Sequence, residues 1–207
     1  MINKLQREFY KRPALDAAKD ILGKILVHES SEGVTAGRIV EVEAYIGPED
    51  RASHAYNNLR TTRTEIQFGE GGFAYIYLIY GMYYCFNIVT GEPNSPEVIF
   101  IRAIEPLKGL DLMLKRRGWE KDSGKKLNSL CNGPGKLCTA MGITKDLYGS
   151  DLAIGPIYVT EDDSTNSDYE ITATPRINID YAGTDKHLLW RFIIANSDYI
   201  SVKKLSK

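Results

Sequence analysis

The chain has 207 residues, 43% of them hydrophobic, and a formal net charge of −1. That size suits one large domain or two small ones, with a core that needs no staples, and the near-neutral balance does not mark an overtly basic nucleic-acid binder. Three cysteines (Cys85, Cys131, Cys138) without CxxC spacing, and only three histidines, argue against a disulfide framework and a zinc site. The start, Met-Ile-Asn-Lys-Leu-Gln-Arg-Glu, has no apolar signal region, and no 18-residue apolar stretch follows. A soluble cytoplasmic protein is expected.

In chain order, Pro13 opens and Gly23 closes a helix with Leu15, Ala18, Ile21 and Leu22 on its apolar side. Strands follow near Lys24–Val27 and Arg38–Ile46. In the second of these, alternation sets Val40, Val42, Ala44 and Ile46 on one face and Glu41, Glu43 and Tyr45 on the other. Residues 47–72, rich in Gly, Asn, Thr and charge, are too long for an ordinary connector and read as a functional loop or as partly helical. His54 falls in this stretch.

Between Tyr75 and Tyr84 lie five of the thirteen tyrosines. β-Branched and aromatic residues on both sides of Gly81 predict two strands meeting at a tight turn, with Tyr80 beside it. A core has little use for so many phenols, since each buried hydroxyl needs a partner. Flat rings with polar tips suit stacking on nucleobases. A strand at Val98–Ile104 carries one charged residue, Arg102, which must find a carboxylate if buried; Glu43 is the economical partner. Glu43 in a cleft, paired this way, suits a general base acting on water.

Pro106 is expected to open a helix through about Arg117. A Lys-rich loop at 118–130 leads to a short helix at Pro134–Met141, closed by Gly142, whose start is a possible phosphate contact. Further strands are expected at Asp151–Thr160, around Arg176–Ile179 and at Arg191–Ile194. Arg102–Lys145 holds ten Lys/Arg against four acids, and Glu161–Glu170 holds five acids and no base. A basic region beside an aromatic hairpin is compatible with a polyanion partner. Strands clustered in hairpins predict a single α+β domain over residues 1–207 with a mostly antiparallel sheet, flanking helices and a projecting β-hairpin.

Several of these segments together resemble one family. Glu43-Ala-Tyr45 with Gly47-Pro-Glu-Asp-Arg-Ala-Ser-His54, the Tyr75–Met82 run, Cys85-Phe-Asn87, Ile101-Arg102-Ala-Ile-Glu-Pro106 and Gly133-Pro-Gly-Lys-Leu-Cys138 are similar, in order, to the alkyladenine DNA glycosylases (3-methyladenine-DNA glycosylase, alkylpurine type). The resemblance runs from the Ile21-Leu-Gly-Lys helix end to Trp190-Arg-Phe192. It implies a curved antiparallel sheet and action on double-stranded DNA that contains alkylated or deaminated purines; a monomer is expected. It also implies that the damaged base is flipped out of the stack. The resemblance makes Tyr80 the wedge that fills the vacated space. Tyr45, His54 and Tyr77 become the aromatic pocket, Asn87 the pocket floor that crowds a guanine 2-amino group, and Glu43 with Arg102 the catalytic pair. It implies no metal or organic cofactor. The catalytic segments hold no lysine for a Schiff base, so no strand cleavage is expected.

The segment Arg60–Phe68 departs from the family's usual Thr-Pro-Arg-Asn…Met-Phe pattern, and the chain departs again at Asn178 and Leu189, where Gly and Pro are usual. Two other readings use the same residues. A non-enzymatic nucleic-acid binder would need the tyrosines but not Glu43 facing Arg102. A carbohydrate hydrolase would need paired carboxylates, yet Glu41 and Glu43 lie on one strand face rather than on opposite sides of a substrate.

Overall fold

A computed structural model describes residues 3–120, 124–162 and 169–203. Parts of the predicted Lys-rich loop (121–123) and of the acidic run (163–168) lie outside the described residues. After a single turn, α1 (Arg7–Tyr10), comes α2 (Ala14–Asp20), capped by Pro13 and burying Ala14, Ala17 and Ala18. Gly23, at φ 84°, ends the turn that follows and donates its N–H to the Ile39 carbonyl. The chain then enters the hairpin of β1 (Ile25–Ser30) and β2 (Gly33–Ile46).

β2 is the organising element. Its fourteen residues pair with β5 (Glu97–Lys108) over most of their length, with β1 in the first half and with β8 (Arg191–Ile194) at Glu41–Glu43. The sheet order is β3-β4-β5-β2-β1-β6, with β3 at Ala74–Ile79, β4 at Tyr83–Thr90 and β6 at Ile157–Thr160. β7 (Ile171–Thr174) pairs β8. Every strand pairing among the described residues is antiparallel.

The sheet has two chemically different faces. Val42, Ala44, Ile76, Phe86, Ile88 and Ile99 join the main core with residues of α2 and of α4 (Pro134–Met141). Glu41, Glu43, Tyr45, Tyr75, Asn87 and Phe100 take the alternate positions and therefore the opposite face. This is the face the sequence alternation assigned to Glu41, Glu43 and Tyr45.

Three boundaries differ from expectation. Pro106 opens no helix: β5 runs on to Lys108, and α3 begins at Leu110 after Gly109 turns the chain at φ 76°. Pro106 is tolerated in the strand because it pairs with Gly37 at a register irregularity, where a missing N–H disturbs the ladder least. A Cβ on Gly37 would meet the Glu105 carbonyl at 2.7 Å, so glycine lets the two strands approach. The strand expected from Asp151 starts only at Ile157. The Asp151 carboxylate accepts the Ala153 N–H at 2.8 Å and folds residues 151–156 into a turn. The strand expected around Arg176–Ile179 lies earlier, at β7. Pro175 stops it, and Arg176 turns inward to a buried Asp50. Residues 47–72 form a loop with two short 3₁₀ turns, Tyr56–Asn58 and Glu65–Phe68.

Candidate active site

One lateral row of the sheet brings the chemistry together. Tyr75 pairs Asn87, Asn87 pairs Phe100, Phe100 pairs Glu43, and Glu43 pairs Arg191, so five strands contribute one residue each to one line on one face. Beside this line the β2–β5 register slips and then recovers. Val40 is the extra residue on β2 and Arg102 the extra residue on β5. A bulge re-aims the side chain it carries, and here Arg102 reaches two acids. Its Nε donates to Glu41 at 2.9 Å and its Nη1 to Glu43 at 3.2 Å.

The two carboxylates are fully buried but differently occupied. Glu41 accepts from Arg102, from Arg191 Nε at 2.8 Å, from the Ser201 hydroxyl at 2.7 Å and from the Ser201 backbone N–H. Burial would raise its pKa, but Arg102 and Arg191 outweigh that and hold it below the usual carboxylate value. Glu43 accepts from the Ile177 N–H at 2.7 Å, from the Tyr45 hydroxyl at 2.8 Å and from Arg102. Three of Glu41's four donors converge on Oε1 and one reaches Oε2, whereas Glu43 takes one donor on Oε1 and two on Oε2. Glu43 carries no exposed surface: the Tyr45 phenol stands between it and the aromatic cavity. The sequence expectation of Glu43 as Arg102's partner therefore holds in part, since Arg102 serves both acids.

Tyr45 joins Glu43 to an open cavity of about 330 Å³ lined by Tyr45, His54, Tyr75, Tyr77, Asn87 and Gln67, among others. The Tyr45 ring lies under the Arg176 guanidinium, 4.6 Å from its centroid, and Arg176 is clamped by Asp50. Burial, then the Glu43 carboxylate, raises the Tyr45 pKa well above its ordinary value, so the phenol keeps the proton it donates. The His54 and Tyr77 rings meet edge-on at 4.8 Å. His54 Nδ1 lies 2.8 Å from the Tyr75 hydroxyl, and Arg63 stacks on Tyr77 at 4.6 Å. Burial, then Arg63, lowers the His54 pKa from 6.5 to about 4, leaving the ring neutral near pH 7. Burial pushes Tyr75 up to about 12.

Asn87 sits mid-strand rather than at a strand end, and its Nδ2 donates to the Tyr75 carbonyl at 3.1 Å while lining the cavity. Tyr80 is away from the cavity, at the hairpin tip. It and Gly81 both have positive φ (53° and 66°), in a turn closed by the Met82 N–H on the Ile79 carbonyl. Its side chain is 77% exposed, next to exposed Met82 and Tyr83. The start of α4 packs on this hairpin: a Cβ on Gly135 would meet Tyr83 at 2.9 Å, and Lys136 lies one residue further.

Sequence reasoning missed Arg191, Arg176 with Asp50, Gln67 and Tyr181. Arg191 and Arg176 carried the signal that found Arg102, a lone Arg in an apolar segment, and the same test would have marked them. Gln67 and Tyr181 gave no periodic signal.

A methylpurine-DNA glycosylase family model matches residues 8–198. A Clostridium botulinum protein named "Putative 3-methyladenine DNA glycosylase" is 51% identical over 203 residues, spanning 96% of this chain and 99% of its own length. Proteins of the same name from Alkaliphilus oremlandii and Clostridium novyi are 47% and 46% identical, over 97% and 98% of this chain and 100% of their own. A match of this extent, on a chain whose sheet gathers an aromatic cavity and a buried acid–arginine network on one face, shows that the chain belongs to the methylpurine-DNA glycosylase family, DNA-repair hydrolases of N-glycosyl bonds.

Proposed function

We propose that this glycosylase acts as a monomer on double-stranded DNA, turning an alkylated or deaminated purine out of the stack. The base enters the Tyr45–His54–Tyr77 cavity, and a water activated by Glu43 cuts its glycosidic bond. A base inside a duplex is out of reach of any side chain, so extrusion must precede chemistry. Tyr80, exposed at a rigid two-residue turn, suits the wedge that fills the gap. A flipped cationic purine gains from electron-rich ring faces, on the order of 0.5–2 kcal/mol.

The observation that carries the reading is the 2.8 Å bond from the Tyr45 hydroxyl to Glu43. It ties the wall of the aromatic cavity to Glu43, whereas the donors of Glu41 come from Arg102, Arg191 and Ser201. A purine stacking on Tyr45 would shift that ring and let a water take a place on Glu43. As the bond breaks, positive charge grows on the sugar, and a carboxylate nearby stabilises it. Arg102 holds the carboxylate in place. Among the described residues no lysine lines the cavity, which supports base release without strand scission.

The test is base release from duplexes carrying 3-methyladenine, 7-methylguanine, hypoxanthine or ethenoadenine singly, each followed by alkali cleavage. Release of a damaged base, with strand breaks only after alkali, is the expected result. Lesion binding without release would favour a non-enzymatic binder, and breaks without alkali would overturn the monofunctional assignment.

A further inference from the structure

Gln67 lines the aromatic cavity and is 1% exposed, yet neither its amide nitrogen nor its amide oxygen has a hydrogen-bond partner. Its 3₁₀ turn (Glu65–Phe68) packs Phe68 inward and leaves the amide at the cavity wall. The nearby polar group is the Tyr75 hydroxyl. The Gln67 amide lies near enough to pull the Tyr75 pKa down against burial, yet the pair lacks hydrogen-bond geometry, and that hydroxyl pairs with His54 Nδ1 at 2.8 Å. A buried amide with both ends idle is costly, because neither group recovers the hydrogen bonds it made with water. Such a cost is carried in the free protein when a ligand supplies the missing partners.

An amide offers one donor group and one acceptor side by side, and the complementary edge must offer an acceptor and a donor. Adenine does so through its 6-amino group and an adjacent ring nitrogen, the pairing that Gln makes bidentately with adenine in DNA grooves. The match survives either orientation in the cavity, because both ring nitrogens flanking the amino group, 1 and 7, are acceptors. Methylation at nitrogen 3 leaves this edge intact. In ethenoadenine a two-carbon bridge ties the 6-nitrogen to ring nitrogen 1. The 6-nitrogen then has no hydrogen, and no edge of the base presents a donor to the Gln67 oxygen.

We propose that Gln67 is a specificity-determining residue that reads the free 6-amino edge of an alkyladenine and thereby disfavours etheno-bridged adenine. This rests on the glycosylase reading above. A site built to hydrogen-bond a polar group discriminates strongly against an analogue without it, because its own groups are then left unpaired.

The experiment measures single-turnover release of 3-methyladenine from DNA treated with methyl methanesulfonate, and of ethenoadenine from a single-lesion duplex. It uses wild type, Gln67→Met and Gln67→Leu, the second variant covering a folding failure of the first. Wild type should favour 3-methyladenine, and each apolar variant should cut that preference by roughly 10- to 100-fold, the scale of one lost pair of hydrogen bonds. Melting temperatures should not fall, since an unsatisfied buried amide is removed. A structural role for Gln67 would lower the melting temperature and both rates together. Release of both bases with a preference unchanged within about threefold in a folded variant overturns the role of Gln67 alone. Release of neither base by wild type overturns the glycosylase reading, and this inference with it.

Discussion

Replacing Glu43 with Gln changes one oxygen into an amino group and almost nothing in shape. Oε1 accepts the Ile177 N–H, and Oε2 accepts the Tyr45 hydroxyl and Arg102 Nη1. Wherever the new amino group points, it faces a donor: the Ile177 N–H on one side or the guanidinium on the other. The Tyr45 hydroxyl can rotate to accept, but the other donors cannot. One buried donor left unmatched costs ~1–3 kcal/mol, a fall of about 2–12 °C in Tm for a chain of this length. The protein should therefore fold and bind damaged DNA. Chemistry loses far more. Activating water is worth ~10²–10⁴ in rate, and stabilising the developing sugar cation a further ~10²–10³. Together these predict a loss of about four to seven orders of magnitude.

The assay is single-turnover release at saturating enzyme on a duplex the wild type cuts, beside a gel-shift affinity. Release within tenfold of wild type would remove Glu43 from its role. Glu41→Gln is the informative companion. Its four donors include two buried guanidinium groups, so neutralising it uncompensates charge at a cost of ~3–5 kcal/mol. A Glu41→Gln protein that melts like wild type would refute the division of the two acids into a structural and a chemical one.

Tyr80→Ser should weaken binding to a lesion duplex by ~1–3 kcal/mol, the scale of lost base–aromatic stacking, and binding to a single-stranded lesion by less; equal losses would rule out the wedge. Asn87→Ala should raise excision of guanine relative to hypoxanthine by ~10-fold or more, and an unchanged ratio of single-turnover rates would mean Asn87 is no gate. Because the His54 pKa falls to about 4 from 6.5, the unfolded chain binds the extra proton between those values, and stability is lost as pH drops from about 6.5 towards 4. Urea titrations at pH 7 and 5 should show a smaller loss in His54→Gln than in wild type. Lys136→Ala should reduce the salt dependence of DNA affinity by about one unit of slope if the α4 start meets a phosphate; an unchanged slope would place the DNA backbone elsewhere.

Much of the architecture was legible because its signals are local. Alternation over Arg38–Ile46 assigned the faces of β2 correctly, and Gly81 between aromatic runs located the hairpin. The errors fall where a distant residue decides. Pro106 reads as a helix start until Gly37, some seventy residues earlier in sequence, is seen to give β5 room to continue. Arg176 reads as part of a strand until Asp50 is found to clamp it from the loop after β2. Gln67 had only its segment's departure from the family's usual pattern as a signal, and nothing in that segment says that the turn holding it closes on the Tyr75 wall.

The choice between Glu41 and Glu43 was the deepest limit on sequence reading. Two-residue spacing puts both acids on one face, and a lone Arg on a neighbouring strand could serve either. What separates them comes from elsewhere: the paired slip at Val40 and Arg102, which aims one guanidinium at both acids, and the C-terminal quarter of the chain, where Arg191 and Ser201 donate to Glu41. Ile177 supplies only a single N–H to Glu43. The surroundings that distinguish the two acids are thus supplied largely by residues more than 130 positions away. It follows that Arg191→Met should damage the site through Glu41. Glu41 would lose one of its two buried guanidinium partners, and the protein should lose stability by ~3–5 kcal/mol while Glu43 keeps its own three donors. Excision normalised to the folded fraction should then fall much less than in Glu43→Gln. A folded Arg191→Met protein as inactive as Glu43→Gln would show that the two acids act as one unit.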